Sequence, residues 1–362
     1  MNFDFSADQR LLQEAVHRML AATSTSTAVR KILEGDAPYS EAVWRELINM
    51  GAASAAIPEV YGGSGMGYLE LCLVAEEAGR HLAPVPLSSS FYLAAEALVH
   101  GGSDAQKQQW LPRLASGGLI ATAQLGSVES YLDGSANKVA GGKLTGRYVL
   151  PDGMVAGLAI VRVEENLLAV DLTAQGVTRK AIASLDPTRP YAQINFDATP
   201  VDVLAGEAST GAVAARVLNG AAVLLAFEQL GGADQVLQNT KEYSLERKAF
   251  GRQIGSFQAL KHKMADIYTA NQLARAHVYY GAWALSSEAP ELALAAGAAR
   301  VSATVAYNSA AEESIEIHGG IGFTWEMDCH LHMRRARFLA QVIGTEHAWR
   351  AQLANELIGE AA

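Results

Sequence analysis

One stretch of the chain, near residue 250, contains the residue types that would bind a phosphate-bearing planar ligand. Arg247, Phe250 and Gln258 lie between two segments of helical periodicity, residues 222–246 and 258–285, where a glycine indicates a turn. A guanidinium offers a planar fork of donors that matches pyrophosphate oxygens, and an aromatic ring can stack on a purine or a flavin. The spacing alone equally allows a solvated charge, a core aromatic residue and a helix cap.

This stretch reads Arg-x-x-Phe-Gly-x-x-Ile-x-x-x-Gln, and it resembles the FAD-contacting segment of the acyl-CoA dehydrogenase family nearly residue for residue. The resemblance implies that Arg247, Phe250 and Gln258 reach across a subunit interface to the cofactor of a neighbouring subunit. FAD is therefore the expected cofactor, and an acyl-CoA thioester is the expected substrate.

A second stretch, Ile-Glu-Ile-His-Gly-Gly-Ile-Gly-Phe-Thr at residues 315–324, is also similar to a signature of this family. Adjacent glycines let a ligand approach the backbone closely because no Cβ intervenes. The resemblance implies that Glu316, Gly319 and Gly320 lie against the adenosine diphosphate part of a neighbouring FAD, and Thr345 is a further expected cofactor-binding residue. The family usually has Gln at position 316, whereas a Glu only accepts hydrogen bonds and would repel a pyrophosphate.

The general base is missing from both positions where the family carries it. In most members a Glu precedes a Gly-Thr pair and removes the α proton of the acyl-CoA, but here that position is Ile343. In a minority the base lies on the helix before the Arg-x-x-Phe-Gly motif, where an ungapped count gives Ala221.

Glu228 is the remaining candidate base on the same helical stretch. Its neighbours are apolar, and burial there would raise the pKa of the carboxyl group, which suits a general base. It lies two turns, about 11 Å along the helix axis, from position 221. A structural, hydrogen-bonding role for Glu228 is therefore the favoured interpretation, and catalysis is the alternative.

The flavin-contacting stretches of the middle part of the chain also depart from the family pattern. Residues 123–127 read Ala-Gln-Leu-Gly-Ser where the family has T-E-P-x-A-G-S-D, and residues 148–153 read Tyr-Val-Leu-Pro-Asp-Gly where it has W-I-T-N. Many members also carry an Asp and an Arg early in the helix that precedes the Arg-x-x-Phe-Gly motif. These positions are Asn219 and Ala222 here. This subunit is therefore expected to lack part of the usual flavin site and of the polar substrate-binding set.

Periodicity along the chain predicts three domains. Helical spacing of apolar residues predicts an α-helical N-terminal domain over residues 1–118, with helices at 7–20, 40–50, 68–80, 91–99 and 107–115. Short alternating segments predict a small antiparallel β domain over residues 119–205, and long helices return over 206–362. An acyl-CoA dehydrogenase-like fold, which ends in a C-terminal four-helix bundle, is what the resemblance implies for essentially the whole chain.

Composition disfavours several other classes of function. The net charge of -10 includes no basic block, so nucleic acid and anionic membrane surfaces are not expected partners. Cys72 and Cys329, far apart in the sequence, indicate a reducing compartment and argue against a zinc site. His318, His330 and His332 are predicted to be packing or polar positions rather than metal ligands. No apolar run is expected to approach the roughly 18 residues that span a bilayer, and the amino terminus does not resemble a signal peptide, so the chain is expected to be cytoplasmic.

The leading hypothesis is an acyl-CoA dehydrogenase-type flavoprotein subunit that does not complete an active site alone. The chain resembles the shorter subunits of bacterial heteromeric acyl-CoA dehydrogenases, some of which act on steroid side-chain CoA thioesters. The resemblance implies a second, base-containing subunit, a heterotetramer built as a dimer of dimers, and electron-transfer flavoprotein as the electron acceptor, with oxygen as the alternative. Two other functions stay open: a self-sufficient homo-oligomeric dehydrogenase with Glu228 as a displaced base, and a redox-silent assembly or acyl-binding subunit.

Overall fold

The computed structural model describes residues 5–126 and 137–361. Helices occupy the described residues before position 116, strands follow from 121 to 203, and helices return from 210. This order confirms the fold class predicted from the sequence. The chain forms two compact units, one comprising Met1–Val29, Tyr68–Ala83 and Ala222–Ala362, the other Arg30–Gly67 and Pro84–Ala221. The three domain boundaries proposed from periodicity stay a prediction.

The helices are, in chain order, α1 (Ala7–Thr23), α2 (Ser26–Glu34), α3 (Glu41–Asn49), α4 (Tyr68–Arg80), α5 (Glu96–Gly101), α6 (Asp104–Ala115), α7 (Thr210–Glu246), α8 (Gln258–Ser286), α9 (Leu292–His318), α10 (Cys329–Leu339) and α11 (Glu346–Ala361). The strands are β1 (Ala121–Gln124), β2 (Lys138–Ala140), β3 (Lys143–Pro151), β4 (Leu158–Val163), β5 (Asn166–Asp171), β6 (Val177–Ile182), β7 (Tyr191–Pro200), β8 (Asp202–Val203), β9 (Lys248–Ala249) and β10 (Arg252–Gln253). A π-helix over Ser88–Ala95 runs directly into α5.

The N-terminal helices follow the predicted pattern with three differences. Helix α2 was not predicted, although its nine residues have an amphipathic pattern that buries Val29 and Ile32. The predicted helix at 91–99 is a π-helix continued by α5. Helix α6 begins three residues earlier than predicted, where Ser103 and Gln106 form a capping box that satisfies the first backbone N–H groups.

Strands β1 to β8 form two four-stranded sheets, in the orders β1-β4-β5-β8 and β2-β3-β7-β6. Pairs within both sheets are antiparallel except β1 with β4, which run parallel with Ala121 opposite Leu158. The parallel pair is possible because the chain passes through β2 and β3 of the other sheet before it returns as β4. Strands β2 and β3 are separated by Gly141 and Gly142, whose φ angles of 58° and 71° form the turn.

Helix α7 is long and apolar enough to cross a membrane by length and composition, so the expectation that no apolar run approaches that length is wrong. In the structure, 67% of its most apolar 18-residue window is buried within the chain. The apolar length of α7 therefore builds the core of the fold.

Helix α4 and the second half of α7 cross with their backbones in contact. A Cβ added to Gly79 would lie 1.8 Å from the carbonyl oxygen of Glu228, and one added to Gly231 would lie 1.8 Å from that of Glu76. Only glycine permits so close an approach. This crossing fixes where the acidic residues of both helices lie.

Candidate cofactor and active site

The Arg-x-x-Phe-Gly motif forms a tight hairpin between α7 and α8. Strands β9 and β10 pair with Ala249 opposite Arg252, so Phe250 and Gly251 are the two turn residues. Both have a positive φ, 52° and 78°, as a type I′ turn requires. A left-handed conformation costs a residue with a side chain about 1–2 kcal/mol, and Phe250 adopts it while its side chain is 95% exposed. The core interpretation of Phe250 is therefore wrong, and an exposed, strained aromatic residue indicates a functional contact.

Arg247 and Gln258 flank this hairpin and are exposed. The backbone of Arg247 closes the hairpin, since its N–H donates to the carbonyl of Tyr243 and its carbonyl accepts from Ile254, both at 2.8 Å. Gln258 is the first residue of α8, where a helix presents backbone N–H groups without intrahelical partners. The sequence predicted two helices that meet at a glycine-bearing turn, and the structure inserts a hairpin there.

The stack of Tyr243 on His318 joins this hairpin to the second family signature. The ring centroids are 4.2 Å apart and the planes differ by 21°. His318 is buried and its Nδ1–H donates to the carbonyl of Ser314 at 2.7 Å, while burial lowers the pKa of the imidazole. Thr240 also donates to the Ser314 hydroxyl, at 2.8 Å. The carboxyl ends of α7 and α9 are therefore fixed side by side.

The other two histidines considered in the sequence analysis, His330 and His332, also make packing contacts. His332 is buried, its Nδ1 lies 2.9 Å from the Tyr307 hydroxyl, and burial lowers its pKa to about 4. His330 stacks on Trp325 with centroids 4.4 Å apart. Both arrangements agree with the predicted packing or polar roles.

The paired glycines after α9 face open space. Gly319 has a φ of 66°, and a Cβ added to Gly319 or Gly320 would meet no atom within 4 Å. Phe323 and Trp325 follow with 83% and 49% of their surfaces exposed. This segment therefore offers an accessible, unobstructed backbone beside exposed aromatic rings.

Glu316 has an ion-pair partner that the sequence analysis missed. Its carboxylate lies 2.9 Å from Nζ of Lys263 on α8, and Lys263 also binds Glu313. The hydrogen bond to Glu313 and, to a smaller extent, that to Glu316 raise the pKa of Lys263. Glu316 and Glu313 thus share one lysine, so the negative charge at position 316 is only partly offset within the chain. Periodicity could not reveal the pair because its members belong to different helices.

At the usual base position, Ile343 is half-buried and carries no ionisable group. Its carbonyl accepts from Nε1 of Trp349 at 3.3 Å, and Gly344 has a φ of 113°. The Thr345 hydroxyl accepts from the backbone N–H of Ala348 at 3.3 Å, which caps α11. The other base position, Ala221, is fully buried in α7.

Glu228 is buried in an ion pair. Its Oε1 lies 3.4 Å from Nη1 of Arg335, which also donates to the carbonyls of Leu82 and Ala83 at 3.3 Å each. A second buried guanidinium, that of Arg300, interacts with the same carboxylate, and burial lowers the pKa of Arg300 to about 9 although Glu228 opposes this shift. The sequence correctly indicated burial but not the two arginines. The geometry favours the structural interpretation of Glu228.

Where the family has W-I-T-N, this chain builds a buried polar network. Asp152, with a φ of 55°, accepts from the Ser89 hydroxyl at 2.6 Å and lies 3.4 Å from Nη2 of Arg189. Arg189 also donates to the Ser88 hydroxyl at 2.6 Å. Both serines belong to the π-helix before α5, so this network joins that helix to the strands. Of the other atypical stretch, residue 127 lies outside the described residues.

Comparison with known proteins agrees with this architecture. The family models "Acyl-CoA dehydrogenase, N-terminal domain" and "Acyl-CoA dehydrogenase, C-terminal domain" match residues 6–118 and 211–358. The chain is 35% identical to acyl-CoA dehydrogenase IpdE2 of Mycobacterium tuberculosis over 353 residues, which is 97% of each chain. It is 33% identical to IpdE2 of Mycolicibacterium smegmatis over 340 residues, 94% of this chain and 95% of the relative.

Solved structures give the same result. The ChsE4-ChsE5 complex from Mycobacterium tuberculosis contains a chain with a TM-score of 0.89 and 26% identity, with 99% of each chain covered. A variant of the Tcur3481-Tcur3483 steroid ACAD has a TM-score of 0.88 and 27% identity, with 98% of each chain covered. The protein belongs to the acyl-CoA dehydrogenase family. It is therefore of the FAD-dependent oxidoreductase type that acts on CH–CH bonds, and the fold and the cofactor predicted from the sequence are confirmed.

Proposed function

We propose that this chain is one subunit of a heteromeric acyl-CoA dehydrogenase that catalyses α,β-dehydrogenation of an acyl-CoA thioester, with the general base supplied by a partner subunit. One observation carries the proposal. Both usual base positions hold residues that cannot take a proton, Ile343 and Ala221, while the interface motif at Arg247, Phe250 and Gln258 is kept and exposed.

The exposed motif residues fit an FAD held mainly by the neighbouring subunit. Arg247 would bind pyrophosphate oxygens, Phe250 would stack on a ring of the cofactor, and Gln258 would donate or accept hydrogen bonds at the start of α8. The turn strain of Phe250 and its almost complete exposure support this role, because neither improves the packing of the chain alone.

The second signature fits the adenosine diphosphate part of the same FAD. The open backbone at Gly319 and Gly320 would let a ligand approach closely, and Glu316, which shares Lys263 with Glu313, would accept hydrogen bonds. Thr345, which follows Gly344, would be a further residue that contacts the FAD. FAD, when bound, accepts the β hydrogen of the acyl chain as hydride.

The remaining chemistry is removal of the α proton, and the arrangement of Glu228 supports a partner's base. A general base must come within about 3 Å of the proton that it removes. Glu228 is buried in an ion pair with Arg335, and its charge also interacts with buried Arg300. If Glu228 moved to a substrate, both buried guanidinium groups would lose that negative charge.

The substrate class we propose is a CoA thioester of a steroid side chain, with electron-transfer flavoprotein as the electron acceptor. The resemblance to the shorter subunits of heteromeric dehydrogenases supports it, as does the similarity to the Tcur3481-Tcur3483 steroid ACAD. Exposed Phe250, Phe323 and Trp325 provide apolar surface for a dimer of dimers. The cytoplasm is the proposed location.

The test compares the chain alone with the chain coexpressed with a base-containing dehydrogenase subunit encoded beside it. We expect the flavin absorption spectrum and formation of the enoyl-CoA from a steroid side-chain CoA thioester to require both chains. Substitution of the partner's base should abolish turnover and leave assembly intact.

Two results would contradict the proposal. Full flavin content and full turnover with this chain alone would make it a self-sufficient dehydrogenase. If the two chains form a stable complex but the partner alone is already fully active, this chain would be a redox-silent assembly or acyl-binding subunit.

A further inference from the structure

We propose that His17, Glu77 and His81 form a binding site for a zinc ion that fastens helix α1 to helix α4. Their three ligand atoms all lie within 4.8 Å of one another. Among the described residues, no other three His, Cys, Asp or Glu side chains converge in this way. None of the three residues belongs to the cofactor motifs, and the proposal does not depend on the proposed function.

The distances suit a tetrahedral metal. Nδ1 of His17 lies 2.8 Å from Oε2 of Glu77 and 3.2 Å from Nε2 of His81, and the third separation, from Nε2 of His81 to Oε2 of Glu77, is 3.9 Å. With zinc–ligand bonds of about 2.0–2.1 Å, the edge of a tetrahedron is about 3.3 Å. The three observed separations bracket this value. Small side-chain rotations would therefore place one Zn²⁺ at bonding distance from all three atoms.

The backbone presents the ligands from well-supported positions. Glu77 lies on α4 and His81 directly follows its last residue, and the His81 N–H donates to the Glu77 carbonyl at 3.1 Å, so the four-residue helical spacing that lets two side chains bind one metal is kept. His17 comes from the facing side of α1. Ser24, at the end of α1, donates to the carbonyl of His81 at 2.9 Å, so the two helices are already joined beside the site.

The carboxylate of Glu77 is oriented by outer groups and keeps capacity for a metal. Gln13 donates to Oε1 at 3.1 Å, and Nε of Arg80 lies 3.3 Å and 3.2 Å from Oε1 and Oε2. An ionised carboxylate accepts about four hydrogen bonds, so Oε2 retains a lone pair toward His17. Such outer partners commonly fix metal-binding carboxylates in proteins.

The surrounding charges also favour a cation. Glu76 and Asp234 join Glu77 near the site, and the guanidinium groups of Arg80 and Arg275 bind among them. Three carboxylates thus surround two guanidinium groups, which leaves a net negative charge. A metal ion can reach the site from solvent, because 48% of the His17 side chain is exposed, while Glu77 is buried.

Both imidazoles direct a ring nitrogen at the site, Nδ1 of His17 and Nε2 of His81, which lie 3.2 Å apart. In a neutral imidazole the proton can sit on the other ring nitrogen, which leaves the nitrogen that faces the metal with a lone pair. Cys72 and Cys329 argued against a thiolate zinc site, and an imidazole–carboxylate site is independent of them.

The test uses the full-length chain with any affinity tag removed and metal stripped by a chelator. Calorimetric titration with ZnCl₂ should give one ion per chain, and the melting temperature should rise with zinc concentration. Titration with CoCl₂ should produce the intense visible absorption of a four-coordinate Co²⁺ ion, which hexa-aqua and loosely bound Co²⁺ do not produce.

The variants separate a built site from adventitious binding. His17→Gln and His81→Gln should each weaken zinc binding more than about 100-fold, beyond the 10–100-fold that loss of an outer partner costs, and Gln13→Ala should fall in that smaller range. His100→Gln is the matched control. His100 and Glu96 form the same imidazole–carboxylate pair four residues apart, at 3.3 Å, and its loss should change nothing.

Circular dichroism without metal checks that each variant folds, and His17→Gln is the safest variant because that side chain is half exposed. Zinc affinity and Co²⁺ absorption that survive in His17→Gln, or wild-type chain that binds no better than this variant, would overturn the proposal. Flavin content and turnover play no part in this test, so it can fail while the proposed dehydrogenase function stands.

Discussion

Tyr243 and His318 stack with their ring centroids 4.2 Å apart, and the Tyr243 hydroxyl donates to the His318 carbonyl at 3.4 Å. Tyr243 lies one helical turn before Arg247, and His318 directly precedes Gly319. This pair therefore sets the separation between the two segments that we expect to contact one FAD.

Replacing the ring of Tyr243 should disturb both segments. Tyr243→Leu should lower the free energy of unfolding by about 1 kcal/mol, the order of an aromatic pair, and should weaken FAD retention in the assembled protein. Tyr243→Phe, which keeps the stack and loses only a long hydrogen bond, is the control. Denaturant unfolding and flavin titration measure the two effects. Equal flavin affinity in both variants would mean that the stack does not position the cofactor segments.

Arg247→Ala should weaken FAD binding in the assembled protein. Loss of a charge-assisted pyrophosphate contact is worth about 1.5–3 kcal/mol, or roughly 10–150-fold in affinity. Lys248→Ala removes an equally exposed positive charge from the same hairpin and should have little effect. Flavin content and the dissociation constant provide the readout. If both variants retain wild-type values, Arg247 is a surface charge only.

Phe250 should show opposite effects on stability and on cofactor binding. Phe250→Gly relieves a left-handed conformation at an exposed turn, so the isolated chain should lose little stability or gain up to about 1 kcal/mol. Flavin retention in the complex should fall, because the stacking ring is gone. The measurement pairs thermal unfolding of the chain with flavin titration of the complex. A variant that keeps full flavin binding would assign Phe250 to another contact.

Glu316→Gln should be neutral or favourable for flavin binding. It restores the amide that the family usually has and removes a negative charge near the expected pyrophosphate. Lys263 keeps Glu313 as its partner, and an exposed ion pair contributes about 0–1 kcal/mol, so unfolding should change little. Flavin titration of both proteins, with Glu312→Gln as the control on the same helix, tests this. Clearly weaker binding would place Glu316 in a contact that needs its charge.

Glu228→Gln distinguishes a structural residue from a catalytic one. Loss of one member of a buried ion pair costs about 3–5 kcal/mol at most, because Arg335 and Arg300 would lose their common carboxylate. Turnover of the folded complex should stay within a small factor of wild type.

A positioned base contributes about 10²–10⁴ in rate, so the catalytic alternative predicts a far larger loss from the same Glu228→Gln change. Turnover should be measured per flavin, after assembly has been checked. A thousandfold loss, on the order of that base effect, with intact flavin content would make Glu228 the displaced base and this chain a catalytic subunit.

Local periodicity in the sequence was sufficient for the order of helical and β segments, because helix and strand periods repeat within a few residues, whereas the fold class came from the family resemblance. Helix α4 has the predicted bounds, and α1 is within three residues of them. The same periodicity did not reveal the hairpin at Phe250. Its turn rests on two residues with positive φ, and a phenylalanine there is contrary to the usual preference for glycine or asparagine.

The sequence by itself determined the kind of protein, through motifs whose residues lie close together in the chain: the Arg-x-x-Phe-Gly segment, the paired glycines, and the absence of an acid at positions 221 and 343. Only the tertiary structure decided which charges meet. Glu228 with Arg335, Glu316 with Lys263, and His17 with Glu77 each join different helices. Periodicity tells which face of one helix is apolar, whereas the partner across that face depends on how two helices cross, and close glycine contacts such as Gly79 against α7 fix that crossing.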